Sequence, residues 1–218
     1  MKRILFLFKQ YPFALLGILV LALWIFAALF GPTLMPFTYS QMDTDHQMTA
    51  PGEGGHLLGT DALGRDILTR IVLGSRSILT VALLTSLFST LAGVILGFSA
   101  GYFGGKVDAV FLRIMDILMA IPPLVLAMVI LGILGDSTIV SLTIMVSIAY
   151  IPATARVARG ALLTCKNFEY VDAARIMGQS NFSIMFVEIL PNTVGPIIVE
   201  ATARFAYSIM MVASLGFL

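Results

Sequence analysis

The chain has 218 residues, 59% of them hydrophobic and only 11% charged, where a soluble domain carries about a quarter charged residues. A formal charge of +1 gives no net pull on nucleic acid, and no Lys/Arg cluster resembles a nucleic-acid groove, so the expected surroundings are lipid. The single Cys165 cannot form an intramolecular disulfide, and His46 and His56 lie far apart in a polar loop without metal-ligand spacing, so no redox or zinc chemistry and no cofactor are expected.

Lys2 and Arg3 precede an apolar run from Phe13 to Phe30. A signal peptide also begins this way, but its apolar core is about 7 to 15 residues long and leads into a small-residue cleavage site. The run here is longer and no such site is clear, so an uncleaved first span is expected. Gly31 to Ser77 then reads as a polar loop rich in Asp and Arg.

Ile78 to Tyr102 forms the second apolar run, and GVILGFSAGYFGG places Gly93, Gly97, Gly101 and Gly105 four apart on one helix stripe. Such a stripe lets another backbone approach closely, either within the chain or across a subunit interface. Gly97-Phe98-Ser99-Ala100-Gly101 matches the G-x-S-x-G pattern, but a nucleophile elbow needs a strand-to-helix turn and a later histidine, and neither is available to Ser99. GYFGGKV also fails as a phosphate-binding loop, since Ala100 and Val107 stand where glycine and Ser/Thr are required. No catalytic residue is expected, and the chain should not hydrolyse ATP by itself.

The third run, Val110 to Leu134, carries Arg113 and Asp116 at its start and Pro122-Pro123 in its middle. Each proline lacks a backbone donor, so a kink is expected there. The fourth run is Ile139 to Ala155, and the fifth begins at Ile197 and reaches the C-terminus. Glu200 and Arg204 lie one helical turn apart in the fifth run and can pair, either as a structural contact or as part of a transport path. Five spans of about 20 apolar residues, without the alternation of barrel strands, give an all-α polytopic transmembrane bundle.

With the N-terminus inside, the cytoplasmic face collects Lys2, Arg3, Lys9, Lys106, Arg113, Arg156, Arg159, Lys166 and Arg175, against Arg65, Arg70 and Arg76 outside. Two regions are expected: residues 1–77, the first span plus an external loop, and residues 78–218, a core with a cytoplasmic loop at 169–192.

That loop reads EYVDAARIMGQSNFSIMFVEILPN. Glu169 to Ile176 can form a short helix, Gly178 to Asn181 a turn, and Phe182 to Ile189 a second helix stopped before Pro191. The segment resembles the EAA loop of ABC importer permeases: Asp172 stands in the usual Glu position, followed by Ala173, Ala174, Gly178, Leu190 and Pro191. Glu188 stands where many relatives have His. HLLGTDALGRDILTRIVLGSRSIL, His56 to Leu79, resembles a segment of the dipeptide, oligopeptide and nickel permease family through Gly59, Thr60, Asp61, Gly64, Arg65, Asp66, Arg70, Gly74, Arg76 and Ser77. In this motif Gly59 and Gly64 permit tight turns, and Asp61 and Asp66 can pair with Arg65 and Arg70.

The resemblance implies the permease fold of type I ABC importers and a multi-pass subunit of a bacterial or archaeal inner membrane, most readily for di- or oligopeptides, with nickel or another small solute as the alternative. It further implies a second permease subunit, two cytoplasmic ATPase subunits coupled through Glu169, Asp172 to Ala174, Gly178, Leu190 and Pro191, and an external substrate-binding protein. Family members usually continue past ASLGFL through a sixth span, so truncation is expected. The rival readings fit less well: a secondary transporter wants an unpaired midplane carboxylate and an inverted repeat, and a membrane hydrolase wants a base beside its nucleophile.

Overall fold

The computed structural model describes residues 12–136 and 138–217. Helices account for the apolar runs: α1 is Pro12–Leu34, α2 Ile67–Phe103, α3 Gly105–Met119, α4 Pro123–Leu134, α5 Ile139–Cys165, α6 Glu169–Ile176 and α7 Asn181–Phe217. Four of these, α1, α2, α5 and α7, are individually long and apolar enough to cross a membrane, and α3 with α4 makes a fifth candidate as a broken pair. The chain divides into two compact units, one through Leu79 and one from Thr80.

Three boundaries differ from the sequence expectation. The polar loop ends earlier: Ile67 already opens α2, because the Asp66 carboxylate accepts the Thr69 amide at 2.7 Å and caps the first turn. The third span is broken rather than kinked. α3 closes at Ala120, Pro122 takes an extended conformation, and Pro123 restarts the chain as α4 at an angle of 88°, because neither proline can donate to the ladder of the preceding helix.

The third difference concerns Pro191, which does not stop the helix. Ile184–Ile189 widens into a π-helical turn whose last amide bond runs from Leu190 to the Met185 carbonyl, and α7 then continues through Pro191 to Phe217. A wide turn eases the clash between a proline ring and the carbonyl one turn earlier, so the loop's second helix and the fifth span are one continuous element.

In the second unit α5 lies against α3, α4 and α7, and the glycine stripe of α2 packs on it as well. A Cβ at Gly93 would stand 2.7 Å from the Thr154 methyl, and one at Gly97 2.2 Å from the Ala155 carbonyl. Three glycines of the stripe therefore serve packing within the chain, while Gly105 falls outside α2 and opens α3 at φ 55. α5 is longer than its apolar run and ends at Cys165. It is held to α3 by Arg159, which donates to both Asp108 oxygens at 2.5 Å, and by the Arg156–Asp116 pair.

Candidate functional site

The segment after α5 is built on a left-handed glycine. α6 carries Glu169 and Asp172 in its first turn and Arg175 in its last, the order that complements the helix dipole. It ends in a Schellman motif: the Gln179 amide donates to the Ala174 carbonyl at 3.1 Å and the Gly178 amide to that of Arg175 at 3.0 Å, with Gly178 at φ 74. Ser180 then caps α7 by accepting the Ser183 amide at 3.2 Å. Glu188, the departure from the usual His, accepts from the Gln179 side-chain nitrogen Nε2 at 3.0 Å and braces the turn.

α6 has two faces. Val171 and Ala174 are turned inward, Ala174 only 1% exposed, and join Val94, Phe98 and Tyr102 of α2, Ala158 and Leu162 of α5, and Ile184, Met185 and Ile189 of α7 in one apolar core. The outward face presents Glu169, Asp172, Ala173 and Arg175 beside Ile176 and Met177, which are 88% and 71% exposed. Ala174 thus anchors the loop to the spans, and Ile176 with Met177 forms its exposed apolar tip. Leu190 is half-buried and Pro191 exposed. Asp172 accepts from Arg175 at 2.9 Å on the surface, a geometry worth little by itself.

The motif that begins at His56 lies in a separate, tightly hydrogen-bonded loop in the first unit. Gly59 and Gly64 both have positive φ, and Cβ atoms there would stand 2.3 Å from the Thr49 carbonyl oxygen and 2.0 Å from that of Asp43. Thr60 accepts the Thr49 amide at 3.1 Å and donates to the His46 carbonyl at 2.5 Å. Asp61 accepts from the Leu63 and Arg65 amides and from Arg65 Nε at 2.7 Å. These bonds, the Arg65 amide foremost, hold its carboxyl below the usual range.

Of the two expected pairings, Asp61 with Arg65 forms, and Asp66 with Arg70 is replaced. Arg70 does not reach a carboxylate but lies over the Tyr39 ring at 4.4 Å and donates to the Tyr39 carbonyl. The two histidines, distant in sequence, are 6.3 Å apart between ring centroids. His56 is buried, stacked on Phe37 at 4.6 Å, with Nδ1 2.9 Å from Asp66 and Nε2 3.6 Å from Asp43. Burial alone would raise the Asp66 carboxyl, but hydrogen bonds from Thr69 and His56 outweigh it and hold it low.

Within the spans, Arg204 donates to Glu200 at 2.6 Å and lies between the rings of Tyr150 and Tyr207, at 5.2 and 5.4 Å. Tyr150 also donates to the Tyr207 carbonyl at 3.2 Å, so the cluster ties α5 to α7. Ser99, the residue at the centre of the G-x-S-x-G pattern, donates to the Ile95 carbonyl of its own helix at 2.7 Å.

Residues 93–218 match the family model for the binding-protein-dependent transport system inner membrane component, and residues 1–51 that for the N-terminal transmembrane domain of oligopeptide transport permease C. The chain is 40% identical to the di/tripeptide transport system permease protein DppC of Pseudomonas aeruginosa, over 94% of its own length and 69% of the relative's. It is 35% identical to the dipeptide transport system permease protein DppC of Haemophilus influenzae, over 98% and 74%. A glutathione transport system permease protein of Pectobacterium atrosepticum is 37% identical over 96% and 69%.

Proposed function

Because this chain belongs to the family of binding-protein-dependent transport system inner membrane components, we propose that it carries short peptides across the membrane by converting closure of ATPase subunits into alternating access. It is a multi-pass permease subunit of an ABC importer, and such a system works with a substrate-binding protein and ATPase subunits. The peptide assignment rests on the relatives: those named for dipeptides, for di- and tripeptides and for glutathione, itself a tripeptide, are similar to this chain at comparable identity.

The observation that carries the mechanism is the pair of faces on α6. Its inner face is part of the core shared by α2, α5 and α7, so a force on the outer face is delivered to the spans. Its outer face offers Ile176 and Met177 to the solvent, which suits an apolar groove on a second protein. In this reading α6 faces the cytoplasm, one such helix from each of two permease subunits docks one of two ATPases, and hydrolysis is theirs alone. Residues 1–77 form the first span with an external loop on the side of the binding protein, and residues 78–218 the coupled core. The Glu200–Arg204 pair serves a structural role: the two charges neutralise one another within α7, and Arg204 meets α5 at the Tyr150 ring.

The test is reconstitution of this chain with its partner permease, ATPases and binding protein in liposomes. Ile176→Glu places a charge in the docking contact without disturbing the buried face. It should leave the permease inserted while ATPase co-purification and dialanine-stimulated ATP hydrolysis fall at least tenfold. Unchanged docking and stimulation would remove the loop from the coupling path.

A further inference from the structure

Tyr102 stands where four elements meet. It closes the last turn of α2, is 9% exposed, and belongs to the core that receives Val171 and Ala174 of α6. Its hydroxyl donates to the Asn181 side-chain oxygen at 3.0 Å, across 79 residues, and Asn181 is the first residue of α7. The Lys166 ammonium, just past α5, lies 5.9 Å from the ring centroid and donates to the Gly101 carbonyl at 2.8 Å; the Arg175 guanidinium of α6 lies 5.7 Å from the same ring.

The apolar contacts around this point are non-directional, so they resist separation of α6 from the spans better than they resist sliding. A hydrogen bond from a nearly buried phenol has a direction and a length. A movement of the loop that lost this bond would leave a desolvated hydroxyl without a partner. The bond therefore fixes the register between the loop and the end of α2, and through the Gly93 and Gly97 contacts between α2 and α5.

We propose that Tyr102 is the positioning residue that transmits movement of the α6–α7 loop into the spanning helices, acting through its hydrogen bond to Asn181. The proposal rests on the reading of that loop as the ATPase contact, and deepens it by naming the chain's own transmission point. Tyr102 touches neither substrate nor ATPase in this role. Its effect should appear in the coupling between hydrolysis and transport rather than in either assembly or docking.

The experiment measures ATP hydrolysed per dialanine transported by the complete reconstituted importer. Tyr102→Phe keeps the ring, its two cations and the packing, and removes only the hydroxyl. It should leave complex yield, ATPase co-purification and basal hydrolysis unchanged while raising ATP per peptide about two- to tenfold, the range set by one net hydrogen bond. Asn181→Ala should match it, the double variant should add nothing further, and Asn181→Asp, which keeps an acceptor, should restore the wild-type ratio. A wild-type ratio in Tyr102→Phe overturns the proposal, and so does a loss of assembled complex with the ratio unchanged, which marks a merely structural bond. Ile176→Glu separates the two levels: if it abolishes docking while Tyr102→Phe couples normally, only the Tyr102 proposal falls, whereas normal docking in Ile176→Glu removes the loop reading beneath it.

Discussion

Gly97 and Ala155 are in backbone contact: a Cβ on Gly97 would stand 2.2 Å from the Ala155 carbonyl oxygen and 2.9 Å from the Arg159 nitrogen. Neither neighbour is a flexible side chain, so α2 and α5 must separate to admit any other residue. Overpacking of this kind costs about 1–3 kcal/mol, and here it also opens the contact on which the loop's core rests. Gly97→Leu should reduce the amount of folded permease recovered in detergent and lower its melting temperature by several degrees. Gly101→Ala should be milder, since its nearest neighbour is the flexible end of Leu162 at 3.1 Å. Equal yields and melting temperatures for the two variants would contradict the close-packing account.

The polar loop before α2 should fail first at Asp66. This carboxylate both caps α2 and holds the buried His56 ring, whereas the Asp61–Arg65 pair is about a quarter exposed. Loss of an N-cap alone costs about 0.5–2 kcal/mol, so Asp66→Ala should expose the loop to protease more than Arg65→Ala does. The sign of the pH dependence follows from the lowered carboxyls of Asp61 and Asp66. Their contribution is fully present above the ordinary carboxyl value of 3.8 and is lost as pH falls through the lower folded values. Hydrogen exchange in residues 59–66 should accelerate only at acid pH, relative to the intrinsic rate. An equal acceleration in Asp66→Ala would remove Asp66 from the explanation.

Glu200 and Arg204 should be needed as a pair. Removing one partner of a fully buried ion pair costs about 3–5 kcal/mol because the other charge is left uncompensated, and this part-buried pair should show the same sign with a smaller loss. Arg204→Met and Glu200→Gln should each lower the recovery of folded protein, and the double variant should recover most of the loss. If the double variant is as poorly recovered as the worse single one, the loss comes from the contacts of these side chains with Tyr150 and Tyr207 and not from an unpaired charge.

Orientation can be read by labelling. Gln47 and Met177 are exposed, one in the polar loop before α2 and one at the tip of α6, and the natural Cys165 is buried. Cysteines introduced at these two positions should react with an impermeant maleimide from opposite sides of the membrane, Met177→Cys from the cytoplasm. Labelling of both from one side would sink the positive-inside assignment.

The spans were legible in the sequence because a lipid environment demands long apolar runs, and the α6 helix and its Gly178 turn because local chemistry writes them. The continuation through Pro191 was not, since a pre-proline residue usually ends a helix and only the π-helical turn at Ile184–Ile189 reconciles the two. The inward direction of Ala174 was equally hidden, because alanine fits an inner or an outer face and only its placement against α2, α5 and α7 decides. Tyr102–Asn181 and His56–Asp66 depend on how distant segments meet. A tyrosine ending an apolar helix on the same face as Val94 and Phe98 was the available signal, since a buried hydroxyl needs a partner.

The most direct measurement is a cross-link from the apolar tip of α6. Ile176→Cys, in a Cys165→Ser background and within the complete importer, is coupled to a short benzophenone maleimide and irradiated with and without ATP. The account predicts an adduct with an ATPase subunit as the main product, with a yield that changes when nucleotide closes the ATPase pair. An adduct only with lipid or with the external binding protein would contradict it.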